Sequence, residues 1–229
     1  MILSIDTATD QASVCLSQSG ALLQVMENDN QKDHAAWIQV AIDDLLKKQG
    51  ADTKDLTAIA VTEGPGSYTG LRVGMATAKG LCFALQLPLI TVSTLKAMAF
   101  GAREQWLPLP ATAATPIQLC PMIDARRMEV FTAVYNEQLD ELQPPAAVIL
   151  DELSFKEALN SGTLLCFGNG SSKWKNIIRH PNLAFMDEKI DIAKSLAKLA
   201  TSLYLSSNFA DLAYTEPAYL KEFYSYIKK

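Results

Sequence analysis

The segment Glu63-Gly64-Pro65-Gly66-Ser67-Tyr68-Thr69-Gly70-Leu71-Arg72-Val73-Gly74 sets four glycines and a proline between an apolar run (57–62) and a long helix-like run. Loops of this kind present backbone N–H groups at a helix start, where an anion can sit. The helix that follows nevertheless carries a cation, Arg72, in its first turn, against the preference of the macrodipole. Arg72 therefore calls for an acidic neighbour, and Asp6 and Glu63 are the first candidates for a structural ion network with it. The spacing is not a P-loop, because no Gly-Lys-Ser/Thr closes it, and it is not Gly-x-Gly-x-x-Gly.

Other chemistry is sparse. The two histidines, His34 and His180, are far apart. No His-Glu-x-x-His or paired-histidine helix occurs, so neither a metal site nor a zinc peptidase is expected. His34 reads as a solvated or capping histidine at a helix start. With histidine so rare, no Ser-His-Asp or Cys-His set is visible, and no catalytic residue is assigned.

The elements that must position the loop follow from the apolar pattern. Residues 2–5 form a short strand ending at Asp6, residues 13–17 alternate as a half-buried strand, and residues 21–27 return after Ser19-Gly20. Asp33 caps a helix over 34–48 that Gly50 closes. A strand (58–61), the glycine loop, a helix over 70–86, a strand (89–92) and a helix from Ser93 or Thr94 to about Arg103 complete a βββαβαβα order. Residues 107–116, rich in Pro, Ala and Thr, read as a connection between subdomains. The opening pattern then recurs, with a strand at 120–123 ending in Asp124, a second at 129–135 and a third at 146–150. This is a weak internal repeat of one ββ-Asp unit. A helix over 151–160, a strand at 163–167, a turn at Gly168-Asn169-Gly170 and an amphipathic helix over 190–206 follow. The expected units are 1–106, 117–189, a helix (190–212) returning to the first unit, and a tail (213–229) that docks or stays mobile.

The chain has 229 residues, 49% hydrophobic and 20% charged, which suits one large or two small folded units. A net charge of −5 is a poor match for nucleic acid, so work on RNA would need positive surface from elsewhere. Four scattered cysteines read as reduced and buried, hence cytosolic. The start reaches Asp6 without a basic region, which is a first strand and not a signal peptide. No run is long enough to span a bilayer.

Taken together, Ile-Asp-Thr-Ala-Thr (5–9), the Gly-Pro-Gly-Ser-Tyr-Thr-Gly-Leu-Arg-Val-Gly block (64–74), Val-Ser-Thr-Leu (92–95), Ile-Asp-Ala-Arg (123–126) and Glu-Pro-x-Tyr-Leu (216–220) resemble the bacterial TsaB family, also called YeaZ. The resemblance covers nearly the whole chain, and the 64–74 block is its specific part. It implies an α/β actin-like fold (ASKHA) of two ribonuclease-H-like subdomains. It also implies an accessory role in attaching the threonylcarbamoyl group to the tRNA adenosine beside the anticodon. The chemistry would belong to a TsaD-type catalytic subunit, bound as a heterodimer, with a TsaE-type ATPase completing the assembly and tRNA met only through the complex. Alone, the chain would form a homodimer.

The catalytic paralogue carries two metal-binding histidines, and the matching positions here are Thr94 and Met98, which suit neither iron nor zinc. Actin-like proteins hold phosphates between Asp-containing hairpins. The turns after Asp6 (with Thr7) and Asp124 contain no glycine to admit phosphate, and Gly168 and Gly170 are the one glycine-rich candidate for an adenosine loop. No cofactor is expected. The helices at 34–48 and 70–86 carry wide apolar arcs. Trp37, Ile38, Ala41, Ile42, Leu45, Gly70, Leu71, Gly74, Met75, Ala78 and Cys82 are the expected partner-binding residues, the alternative being that both helices simply cover a sheet. Rival functions are a kinase-like or peptidase-like ATPase of the same fold and a self-associating regulatory dimer.

Overall fold

The computed structural model describes residues 1–30, 33–106 and 116–221. Most of the expected 107–116 connection and the end of the tail lie outside the described residues.

The first half opens with β1 (Ile2–Asp6), β2 (Ala12–Gln18) and β3 (Ala21–Asn28), an antiparallel meander. Helix α1 (His34–Gln49) and a 3₁₀ turn at Thr53–Asp55 lead to β4 (Ala58–Gly64), which pairs parallel with β1. Helix α2 (Tyr68–Leu85), β5 (Leu89–Ser93) and α3 (Thr94–Trp106) complete it, giving the sheet order β3-β2-β1-β4-β5. β1 is buried at every position, as a strand covered on both faces must be, which is why its sequence does not alternate.

The second half repeats the plan. Strands β6 (Ile117–Asp124), β7 (Glu129–Tyr135) and β8 (Glu141–Ile149) form the meander, and β9 (Thr163–Phe167) and β10 (Leu183–Met186) add in parallel. The sheet order β10-β9-β6-β7-β8 is the first order read from the other edge, with β6 in the place of β1. Helices α4 (Lys156–Ser161) and α5 (Ser171–Lys175) occupy the positions of α1 and α2 in shortened form, and α6 (Ile192–Leu205) corresponds to α3.

Helix α4 is shorter than the helix expected over 151–160. Asp151 Oδ1 accepts hydrogen bonds from Leu153 N and Ser154 Oγ, each at 2.9 Å, so its side chain holds a turn where the helix was to begin. Helix α5 and strand β10 were not legible in the pattern.

Four apolar clusters fill the layers. Helices α1 and α2 cover one face of the first sheet (Leu3, Ile5, Val14, Ile59, Val61), and α6 covers the other through Leu196 and Ala200. Helix α3 packs Leu95, Met98 and Ala102 on the second sheet, and Trp174 anchors the far face of that sheet. The two long C-terminal helices of the halves thus meet between the sheets. A Cβ on Gly101 would come to 2.5 Å of Ile190 Cγ2 and 2.8 Å of Ser195 Oγ, so the absence of a side chain there sets the distance between α3 and α6.

Candidate functional site

The glycine loop is used for backbone-to-backbone docking. A Cβ at Gly66 would overlap the Ala8 carbonyl, one at Gly70 the Thr7 carbonyl, and one at Gly74 the Thr7 hydroxyl. Ser67 N donates to Ala8 O at 2.7 Å, and Thr7 Oγ1 donates to Gly70 O at 2.7 Å. The stripe Gly66-Gly70-Gly74 therefore seats the start of α2 on the turn after β1. Ser67 is the N-cap, its Oγ accepting from Gly70 N at 3.3 Å. The helix thus begins at Tyr68, before the Gly70 expected from composition. The Ser67-x-x-Gly70 spacing was the available signal.

The expected ion network of Asp6, Glu63 and Arg72 does not form. Asp6 is buried, and its Oδ1 accepts from Thr62 Oγ1 at 2.7 Å and from Ala8 N at 3.1 Å. Burial raises its carboxyl pKa, outweighing those two bonds and the neighbouring His34. Arg72 is exposed instead, donates to Tyr68 Oη at 3.0 Å and lies 5.4 Å from that ring's centroid. An exposed guanidinium is solvated, so the cation at the helix start needs no carboxylate. Glu63 contributes its backbone carbonyl, which accepts from Ala218 N at 2.7 Å.

His34 also departs from expectation. It is 3% exposed, and neither ring nitrogen has a hydrogen-bond partner among the described residues. Asp33, the residue before it, makes no capping bond to α1. His34 lines a cleft of about 930 Å³ between the two halves, together with Ala35, the first turn of α2 (Ser67 to Gly70), Ile123, Phe131, Arg126 and Asn169. Across the cleft Asn169 Nδ2 reaches Asp10 Oδ2 at 3.4 Å. Arg126 and Arg127 hold the β6–β7 turn with φ of 73° and 50°, left-handed values that arginine seldom adopts.

The weak nucleotide candidates are occupied by packing. Thr7 is engaged with Gly70, as described. Asp124 pairs with Lys173 Nζ at 2.6 Å. Burial works to raise the Asp124 pKa, but the Lys173 and Arg126 contacts bring it below the usual value. Gly168, at φ 92°, and Gly170 lie against β6 and β7, where a Cβ would come to 2.5 Å of Met122 O and 2.7 Å of Val130 Cγ1 respectively. Thr94 and Met98 are buried in the core. Among the described residues no group of three or more His, Cys, Asp or Glu is placed to hold a metal ion, and no described helix is long and apolar enough to cross a membrane.

The partner surface needs correcting residue by residue. Ile38, Ala41, Ile42, Leu45, Gly70, Leu71, Gly74, Met75, Ala78 and Cys82 are buried within the chain, and Trp37 is half-buried. They cover the first sheet because its face is apolar throughout and takes the wider arc of both helices. The outward side of the pair is formed by other residues. Ala36 and Val40 on α1, and Ala76, Gly80, Phe83 and Ala84 on α2, are exposed, with Val40 at 60% and Phe83 at 73%. Gln39 Nε2 donates to Thr77 Oγ1 at 3.3 Å, joining the two helices beside that face. The described part of the tail (213–221) docks along α2, where Lys79 Nζ donates to Thr215 O at 2.9 Å and Ala213 O at 3.2 Å. Tyr219 packs 5.0 Å from the Tyr68 ring, and Lys221 pairs with Glu129 in the second half.

A family model described as TsaD, tRNA N6-adenosine threonylcarbamoyltransferase, matches residues 24–224. The Escherichia coli K12 protein named "tRNA threonylcarbamoyladenosine biosynthesis protein TsaB" is 30% identical over 96% of this chain and 94% of its own length. Its namesake from Haemophilus influenzae is 31% identical over 96% of this chain and 93% of its own. The chain belongs to this family, in its TsaB branch. A Pseudomonas aeruginosa crystal structure, of an uncharacterized protein with similarity to peptidase YeaZ, superposes with a TM-score of 0.80. It is 25% identical, and the match covers 96% of this chain and 99% of that one. The two matching sheets and this likeness make the fold the duplicated actin-like one.

Proposed function

We propose that this chain serves tRNA threonylcarbamoyladenosine biosynthesis as a non-catalytic subunit that binds and shapes a TsaD-type catalytic subunit. The observation that carries the reading is the outward face of α1 and α2. Val40 and Phe83 stand exposed among Ala36, Ala76, Gly80 and Ala84, and a Cβ on Gly80 would meet nothing within 4 Å among the described residues. A glycine inside a helix costs about 1 kcal/mol relative to alanine, and nothing among the described residues requires one at position 80. A partner helix packing ridges into grooves would require it. The same face serves a second copy when the catalytic subunit is absent. A TsaE-type ATPase joins the complex, and tRNA is met only there, in keeping with the net charge of −5.

The role is physical. Burying this face stabilises one arrangement of the partner, to the extent that the chain binds that arrangement better than others. The enzyme reading has less support, since Thr7 is engaged with the Gly70 carbonyl and Gly168 and Gly170 pack closely against the neighbouring strands. The test is co-elution with a TsaD-type protein. Gly80→Leu and Val40→Glu should leave the thermal transition of the isolated chain in place and abolish the heterodimer. Undiminished pairing by both variants would refute the surface, and modified tRNA produced by the isolated chain would refute the non-catalytic role.

A further inference from the structure

Residues 208–221 form neither a helix nor a regular strand, yet they are anchored repeatedly, and the anchors lie on both halves. Ala210 N donates to Leu89 O at 2.8 Å on the open edge of β5, and Ala210 and Leu212 pack on the first core. Lys79, from within α2, then holds the Ala213 and Thr215 carbonyls. Its ammonium makes no ion pair among the described residues, so these two carbonyls are its partners. Ala218 N donates to Glu63 O at 2.7 Å, and a Cβ on Gly64 would come to 2.8 Å of Ala218 O. Gly64, at φ 115°, therefore does for the tail what Gly66, Gly70 and Gly74 do for the turn after β1, which is to admit a backbone. Tyr219 packs on Tyr68, and Lys221 crosses to the second half to pair with Glu129. The Glu129 side chain is 17% exposed, so the pair is less screened than one between two exposed side chains. Its carbonyl belongs to the β6–β7 turn, where it accepts from Ala125 N at 3.1 Å and Lys173 Nζ at 2.9 Å.

We propose that residues 210–221 are a clasp that sets the placement of the second half relative to α2, with Lys79 and Gly64 as its seat and the Lys221–Glu129 pair as its catch. The halves meet where α3 packs on α6. The clasp joins them at a separate point, from the first turn of α2 to the start of β7. Two separate points of attachment fix an orientation that one leaves free to turn. The Asn169–Asp10 bond between the halves is long, at 3.4 Å, and exposed, so it holds less. None of the clasp contacts uses Val40, Gly80 or Phe83, so the clasp and the helix face assigned to the partner stand or fall separately.

The experiment is amide hydrogen exchange on the full chain, comparing the parent with Lys79→Met, Lys221→Met and the double variant. Methionine keeps an unbranched stem at each position and removes the ammonium. Lys79→Met should speed exchange at the Ala218 amide, within the clasp. It should also speed the Ala125 and Glu129 amides of the second half by about tenfold, the loss expected for one charge-assisted hydrogen bond. In Lys221→Met those two amides should already exchange faster, and adding Lys79→Met should change only Ala218. That dependence marks a clasp, because a local role for Lys79 would leave the second half unmoved in either background. Unchanged exchange at Ala125 and Glu129 in Lys79→Met, or the same acceleration with and without Lys221, would overturn the proposal.

Discussion

Two glycines in one helix should respond to the same substitution with opposite signs. Gly74 and Gly80 both lie inside α2, and alanine at either gains about 1 kcal/mol of helix propensity. At Gly80 no described residue lies within 4 Å of the added methyl, so Gly80→Ala should keep that gain. The melting temperature should rise by about 2–4 °C for a chain of this size. At Gly74 the methyl would overlap Thr7 Oγ1, with Ile5 Cγ2 at 3.6 Å on the same side. The hydroxyl cannot retreat without breaking its 2.7 Å bond to the Gly70 carbonyl. Losing a buried bond and overpacking the contact each cost about 1–3 kcal/mol. After the propensity gain, Gly74→Ala should lose about 1–5 kcal/mol, or roughly 2–20 °C of melting temperature. Differential scanning calorimetry of the two variants beside the parent decides the matter. Equal shifts, or a neutral Gly74→Ala, would show that the inward and outward sides of α2 have been assigned wrongly.

The buried Asp6 makes a pH prediction. Its pKa is raised in the folded chain from an ordinary value of 3.8, so folding takes up a proton between 3.8 and the folded value. Stability contributed by the protonated group is therefore lost as pH rises through that window. Asp6→Asn removes the titration while keeping an acceptor for Thr62, and urea unfolding at a series of pH values should show a flatter slope above 3.8. A slope unchanged from the parent would sink this account. Where α3 crosses α6, Gly101→Val should cost at least about 1–3 kcal/mol by forcing Ile190 and Ser195 outward. A midpoint of denaturation equal to the parent's would show that the crossing is looser than described.

Much of the fold was legible because strand and helix periods are local properties. The meander at the start, the α1 boundaries and the recurrence of the ββ-Asp unit can be read from residue types alone. Strand β10 and helix α5 escaped because four or five residues are too few for a period to show. Asp151 defeated the expected helix there because its side chain supplies local acceptors that a propensity count does not weigh. At the candidate site the glycines were visible but their use was not. Close approach to a phosphate and close approach to another backbone both require the missing Cβ, and only the position of Thr7 and Ala8 separates the two.

What the sequence determined unaided was the order of the longer elements, the duplication and the family, all carried by patterns along the chain. What only the tertiary structure decided was direction. Periodicity says that α1 and α2 have wide apolar arcs, but not how much of each arc a sheet will take. The apolar face of the first sheet takes Ile38, Leu45, Met75 and Cys82 and leaves Val40, Gly80 and Phe83 to solvent. The same holds for charge. Whether Arg72 needs a carboxylate, or His34 meets water, depends on burial, and burial is set by residues distant in sequence that fold into the same place.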